Sequence, residues 1–159
     1  MSEKRNYSPL QIGLHWATAT LIVANYVISD GMPQAFDAHL QGQALTGLTP
    51  TFHVWAGSLL LALVIMRLVV RLVQGAPKTE ESGWMARVAA LGHWALYGLM
   101  LAVPAFGAIA WFGKTELTSD LHVITMNAMM LLILGHAAMA IFHQYVLKDG
   151  LLGRMIPLR

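Results

Sequence analysis

Four histidines stand within or at the edges of four long apolar stretches of this chain, and two of them, His122 and His136, share one stretch at a spacing of fourteen residues. On an α-helix that spacing returns a side chain to nearly the same face about 21 Å further along. His15 in the first stretch and His53 at the start of the second supply one further imidazole near each level. Two imidazoles at each of two levels is the ligand count of two six-coordinate haems. Iron with both axial positions filled by histidine favours electron transfer over oxygen binding.

The elements that must position these residues follow from composition. The chain has 159 residues, of which 57% are hydrophobic and only 11% charged, too little polar surface for a water-soluble fold. A single domain over residues 1–159, inserted in a membrane, is expected at this length. Cysteine is absent, so disulfides, iron–sulfur clusters and thiolate metal sites are excluded. Four apolar windows emerge, at about Leu10–Ser29, Phe52–Val73, Val88–Phe112 and Leu121–Leu147. In lipid every backbone polar group must be satisfied within its own segment, so each window is expected to be a helix. The resulting fold class is all-α, an integral membrane four-helix up-down bundle. Ser2-Glu3-Lys4-Arg5 ahead of an apolar run resembles a secretory signal, but the run approaches a full crossing and no small-residue cleavage pattern follows it. It is expected to be a retained helix.

Lysine and arginine resist translocation, and nine of the ten, namely Lys4, Arg5, Arg67, Arg71, Lys78, Arg87, Lys148, Arg154 and Arg159, fall on the side of the two termini, with Lys114 opposite. Both termini are therefore expected in the cytoplasm. The Gly31–Thr51 loop and the short Gly113–Asp120 turn then lie outside, and Gln74–Gly83 is a solvated inner connection. In this frame His15 and His136 fall at the inner level and His53 and His122 at the outer one, which pairs His15 with His136 and His53 with His122. A lone membrane histidine is often a helix contact or part of a proton path. Four at two matched depths read better as a set of haem ligands. Gly57, one turn after His53, Gly13 beside His15 and Gly135 beside His136 would leave room for a flat macrocycle.

Arg67 and Arg71 are one turn apart on the inner part of the second helix, suited to haem propionates or a quinone through charge-assisted hydrogen bonds, or to snorkelling. His143, seven residues beyond His136, keeps the same face about 10 Å nearer the cytoplasm. That is too far to share the iron, but it suits hydrogen bonding and proton transfer to a quinone. His93 could serve a similar contact, and His39 in the outer loop is expected to be solvated.

These residues, as Ser8-Pro9-Leu10-Gln11-Ile12-Gly13-Leu14-His15-Trp16, His53-Val54-Trp55-Ala56-Gly57, Met66-Arg67-Leu68-Val69-Val70-Arg71-Leu72, Leu91-Gly92-His93-Trp94, His122, Gly135-His136-Ala137-Ala138, His143-Gln144-Tyr145 and Lys148-Asp149, resemble the bacterial cytochrome b561 family over nearly the whole chain. The resemblance implies a four-helix cytochrome of the bacterial cytoplasmic (inner) membrane with two b-type haems held by His15, His53, His122 and His136. It also implies a quinone site near the inner haem and His143, and, in some members, oxidation of superoxide with reduction of ubiquinone. The outer segments, however, carry Asp30, Asp37, Glu116 and Asp120 against Lys114, a formal charge of −3. Such a surface steers an anion poorly and suits a basic redox protein at least as well. The alternatives are therefore a cytochrome subunit served by a separate protein, and, in another class, a small histidine-dependent metal or proton transporter. Zinc would need about four clustered ligands, which two separated levels do not supply. No nucleic-acid partner is expected.

Overall fold

The computed structural model describes residues 7–44, 47–77 and 83–156, and among these every regular element is helical. Helices α1 (Pro9–Val27), α2 (Met32–Leu40), α3 (Leu48–Gln74), α4 (Trp84–Gly113) and α5 (Glu116–Phe142) follow in order. A π-helical turn at His143–Leu147 prolongs α5, and a short 3-10 turn at Leu152–Met155 ends the described chain. Lys4, Arg5, Lys78 and Arg159 of the orientation argument, with the Ser2–Arg5 segment and half of the Gln74–Gly83 connection, lie outside the described residues.

Local chemistry sets the ends of these helices. Ser8 caps α1 by accepting from the Gln11 N–H at 3.2 Å while the Gln11 side chain accepts from the Ser8 N–H at 3.0 Å, a reciprocal capping box with Pro9 at the first helical position. The same two side chains clasp the far end of α3. Ser8 Oγ donates to Gln74 Oε1 at 2.7 Å, and Gln11 Nε2 donates to the Gly75 carbonyl at 2.8 Å. Gly75 ends α3 with φ 70°, a conformation other residues rarely adopt. Ser8→Ala should therefore lower stability by about 1 kcal/mol, read as an earlier unfolding midpoint when detergent-solubilised protein is titrated with denaturant.

Helix α1 packs on α3, α3 on α4 and α4 on α5, consecutive long helices running antiparallel. Their shared interior is Ile22 of α1, Leu60 and Val64 of α3, Leu96, Tyr97, Met100 and Val103 of α4, and Met129 of α5. Apolar side chains such as Leu59, Val69, Leu72, Leu131 and Leu134 point outward, as helices surrounded by lipid tolerate. Helices α3, α4 and α5 with its continuation to Leu147 are each long and apolar enough to cross a membrane. Helix α1 reaches that standard only together with α2, from which it is bent by 77°.

Two sequence expectations change. The Gly31–Thr51 segment is not all loop, because Gly31 (φ 82°) turns the chain and Pro33 sits in the first turn of α2, which lies against α3. The helices also begin up to five residues earlier than the apolar windows, α5 at Glu116 rather than Leu121. Polar residues near a helix end are satisfied by water and caps, so loss of hydropathy marks the edge of the bilayer rather than the end of the helix.

Candidate functional site

Helix α5 carries His122 near its start and His136 about three-quarters of the way along, and each faces an imidazole from another helix. His53 of α3 faces His122 with ring centres 6.0 Å apart and planes at 82°. His15 of α1 faces His136 at 6.5 Å and 58°. Two imidazoles bound to one metal atom at about 2.0 Å per nitrogen have ring centres about 6.3 Å apart. Both observed separations therefore match a shared iron. The pairs lie at opposite ends of the helices, the first toward the α2 loop and the second toward the termini.

The loop-end pair is built in most detail. Pro104 lies inside α4 and has no N–H to donate to the Met100 carbonyl, although the helix runs on unbroken. The neighbouring Val103 carbonyl accepts from His122 Nδ1 at 2.8 Å, which fixes the proton on Nδ1 and leaves Nε2 free to ligate. Gly107, one turn further on, gives the ring its seat, since a Cβ there would stand 3.0 Å and 3.1 Å from two atoms of the His122 ring. Across the gap, His53 Nδ1 is buried with no hydrogen bond made, and Asn25 of α1 presents an equally unpartnered Oδ1 while only 9% exposed. Both border a cavity of about 740 Å³ between α1, α3, α4 and α5, which Met32, Phe36 and Asp37 of α2 also line. That volume lies within the range of cofactor pockets, about 300–1,000 Å³. Facing imidazoles, a glycine seat and unpartnered buried polar atoms all fit a planar iron macrocycle.

At the terminal end Arg67 Nη2 donates to His15 Nδ1 at 2.8 Å, and its guanidinium lies 5.3 Å from the centre of the Tyr97 ring. Arg71 is one turn closer to Gly75, half-buried. His93 of α4 stands with its ring centre 5.2 Å from that of His136, at 82°, and its Nδ1 donates to the Ala89 carbonyl at 2.7 Å. Three imidazoles and one guanidinium thus gather at this level. A Cβ at Gly13 or Gly135 would meet nothing within 4 Å, so close helix packing is not what those two glycines provide.

His143 opens the π-helical turn, where its Nδ1 lies 2.5 Å from Asp149 Oδ2. His39, expected to be solvated, is instead half-buried. It stacks on Trp111 with ring centres 4.2 Å apart and planes within 5°, and its Nε2 donates to the Trp111 carbonyl at 3.0 Å. The stack fastens α2 over the end of α4 because the helix absent from the sequence reading carries the imidazole inward. Sequence reasoning missed the Val103 carbonyl, Gly107, Asn25 and this stack, and it named Asp149 without its contact to His143. The cue within reach was Pro104 followed three residues later by Gly107 in an apolar helix.

Among the described residues no group of three or more His, Cys, Asp or Glu side chains is arranged to hold a bare metal ion. Apolar helices that oppose histidine rings across a cofactor-sized cavity are those of a membrane cytochrome. The chain belongs to the prokaryotic cytochrome b561 family, which it matches over residues 6–158, and is therefore a membrane haem-b electron-transfer protein. It is 43% identical to a cytochrome b562 of Cereibacter sphaeroides, with 98% of each chain covered. It is 28% identical to a protein of Yersinia pestis named "Probable superoxide oxidase CybB" (96% of this chain, 97% of that one) and 27% identical to cytochrome b561 homolog 1 of Escherichia coli K12 (96% and 98%). No solved structure matches the chain significantly.

Proposed function

We propose that this protein is a four-span di-haem cytochrome of the bacterial inner membrane, with both termini in the cytoplasm, which takes electrons from an outer-side donor and reduces ubiquinone near His143. The observation that carries the reading is the opposition of two imidazole pairs, at 6.0 Å and 6.5 Å, along one helix. His53 and His122 are the proposed axial ligands of the outer haem, and His15 and His136 those of the inner one. When bound, such haems supply one-electron transfer with no coordination site open to dioxygen.

The protein residues position, insulate and neutralise. The Val103 carbonyl orients His122, and Asn25 and His53 bring polar atoms to the outer cavity. A guanidinium can only donate, so Nδ1 of His15 accepts from Arg67 in the geometry observed. An imidazole giving Nε2 to iron instead holds its proton on Nδ1. With haem bound, Arg67 would be released from His15 to hold an anionic propionate, and Arg71 beside it would serve a propionate or a quinone oxygen. His93, on the flank of His136, is assigned to packing or quinone contact.

Superoxide is the proposed donor, supported by the likeness to the Yersinia protein of that name. Two superoxide anions would give up one electron each, releasing dioxygen, while ubiquinone takes both electrons and two protons to become ubiquinol. Asp37, Glu116 and Asp120 line the outer cavity. That rim favours the second reading, a basic redox protein as donor. Rapid mixing of the oxidised protein with superoxide distinguishes the two. Haem reduction faster than spontaneous dismutation, followed by ubiquinol, is expected. Reduction no faster than dismutation would assign the outer face to a protein partner.

A further inference from the structure

The turn after α5 is shaped to return one carboxylate to one imidazole. Chain geometry passes from α-helix to a π-helical turn at His143–Leu147, a rare form that concentrates at functional sites. Lys148 then takes the left-handed conformation at φ 55°, unusual for a side chain with a Cβ, and Gly150 follows at φ 71°. Both backbone excursions bracket Asp149. Its Oδ1 accepts from the Leu151 N–H at 3.0 Å, its Oδ2 lies 2.5 Å from His143 Nδ1, and its own N–H donates to the His143 carbonyl at 3.4 Å. The hydrogen bond from His143, then that from Leu151, holds the carboxyl below the usual carboxylate range, so it stays ionised through neutral pH. The His143 side chain is 12% exposed and that of Asp149 39%, so the pair joins the helix interior to water. Among the described residues, the charges acting on Asp149 are those of His143 and, from the 3-10 turn, Arg154.

We propose that Asp149 is a positioning residue that fixes the His143 imidazole with Nδ1–H toward the carboxylate and Nε2 toward the bound quinone, making the pair the proton entry for quinone reduction. This rests on the quinone reading given above. As the quinone gains two electrons from the cytochrome, the imidazole, protonated at Nε2 from cytoplasmic water, gives up that proton: the Nε2–H bond breaks and a quinone O–H bond forms. The imidazole regains a proton from cytoplasmic water beside Asp149 and gives the second in the same way. The carboxylate stabilises the cationic imidazole between these steps and is not itself consumed.

Ubiquinol formation by the haem-loaded protein, driven by a chemical reductant across pH, tests this with Asp149→Asn, Asp149→Glu and His143→Gln. Expected for Asp149→Asn are about tenfold slower turnover, an alkaline limb moved to lower pH, an unchanged KM for quinone and unchanged haem spectra, with Asp149→Glu restoring most of the rate. An Asp149→Asn profile identical to the parent's beside a slow His143→Gln variant would overturn the role of Asp149 and leave the quinone site standing. Parent-like rates in both would remove the quinone site from His143. If Asp149→Asn fails to load haem, the 15N spectrum of labelled parent protein decides. A strongly downfield His143 Nδ1–H supports the pair, and an ordinary solvent-exposed signal overturns it.

Discussion

Purified His122→Ala protein will carry one haem per chain instead of the two proposed, and His136→Ala will also carry one, but the two variants will keep different haems. Each substitution removes one imidazole from a facing pair, and the remaining partner cannot hold a low-spin, six-coordinate iron alone. His53→Ala should reproduce the spectrum and potential of His122→Ala, and His15→Ala those of His136→Ala, because partners lie across a single gap. His93 provides the sharpest control. Its ring centre is nearer to that of His136 than His15's is, 5.2 Å against 6.5 Å. That separation is too short for two rings on one iron by about 1 Å, so His93→Ala should retain both haems. The pyridine haemochrome content and the redox titration of each variant check the scheme. Two haems with unchanged spectra in any of the four ligand variants would break the pairing.

Gly107→Val should abolish the outer haem almost as completely as loss of His122, without touching any proposed ligand. A Cβ at this position enters the 3.0–3.1 Å zone of the His122 ring, and the obstacle is an imidazole already pinned to the Val103 carbonyl. The ring must turn away, and its hydrogen bond and facing geometry go together. In contrast, Gly135→Ala, whose Cβ would meet nothing within 4 Å, should assemble normally. Haem content of the two variants side by side is the measurement. A Gly107→Val protein with full outer-haem absorbance would show that His122 reaches iron from another rotamer.

Much of this arrangement is visible in the chain itself. Fourteen-residue spacing on a charge-free stretch put His122 and His136 on one face, and basic-residue counting separated the levels, so the structure brings together the same couples, His53 with His122 and His15 with His136. Periodicity cannot show the third dimension around each ring. The sequence offers His93 for a quinone contact, and only the packing of α4 on α5 sets it against His136. Helix α2 escaped because nine residues of mixed polarity have no long apolar face, and its formation rests on Gly31, Pro33 and the docking of His39 on Trp111. Contacts to a backbone carbonyl, as from His122 to Val103, leave no trace in residue type at the acceptor.

Helix α5 bears two of the four imidazoles, yet Met129 is its one buried residue and its close packing is chiefly with α4. Helices α1 and α5 meet through His15 and His136 rather than through tight backbone approach. Assembly can therefore proceed from the side: a porphyrin dissolved in the bilayer can slide between two already inserted helices without any segment leaving the lipid. Biogenesis of such a cytochrome would need no dedicated unfolding step, only delivery of the pigment to the membrane.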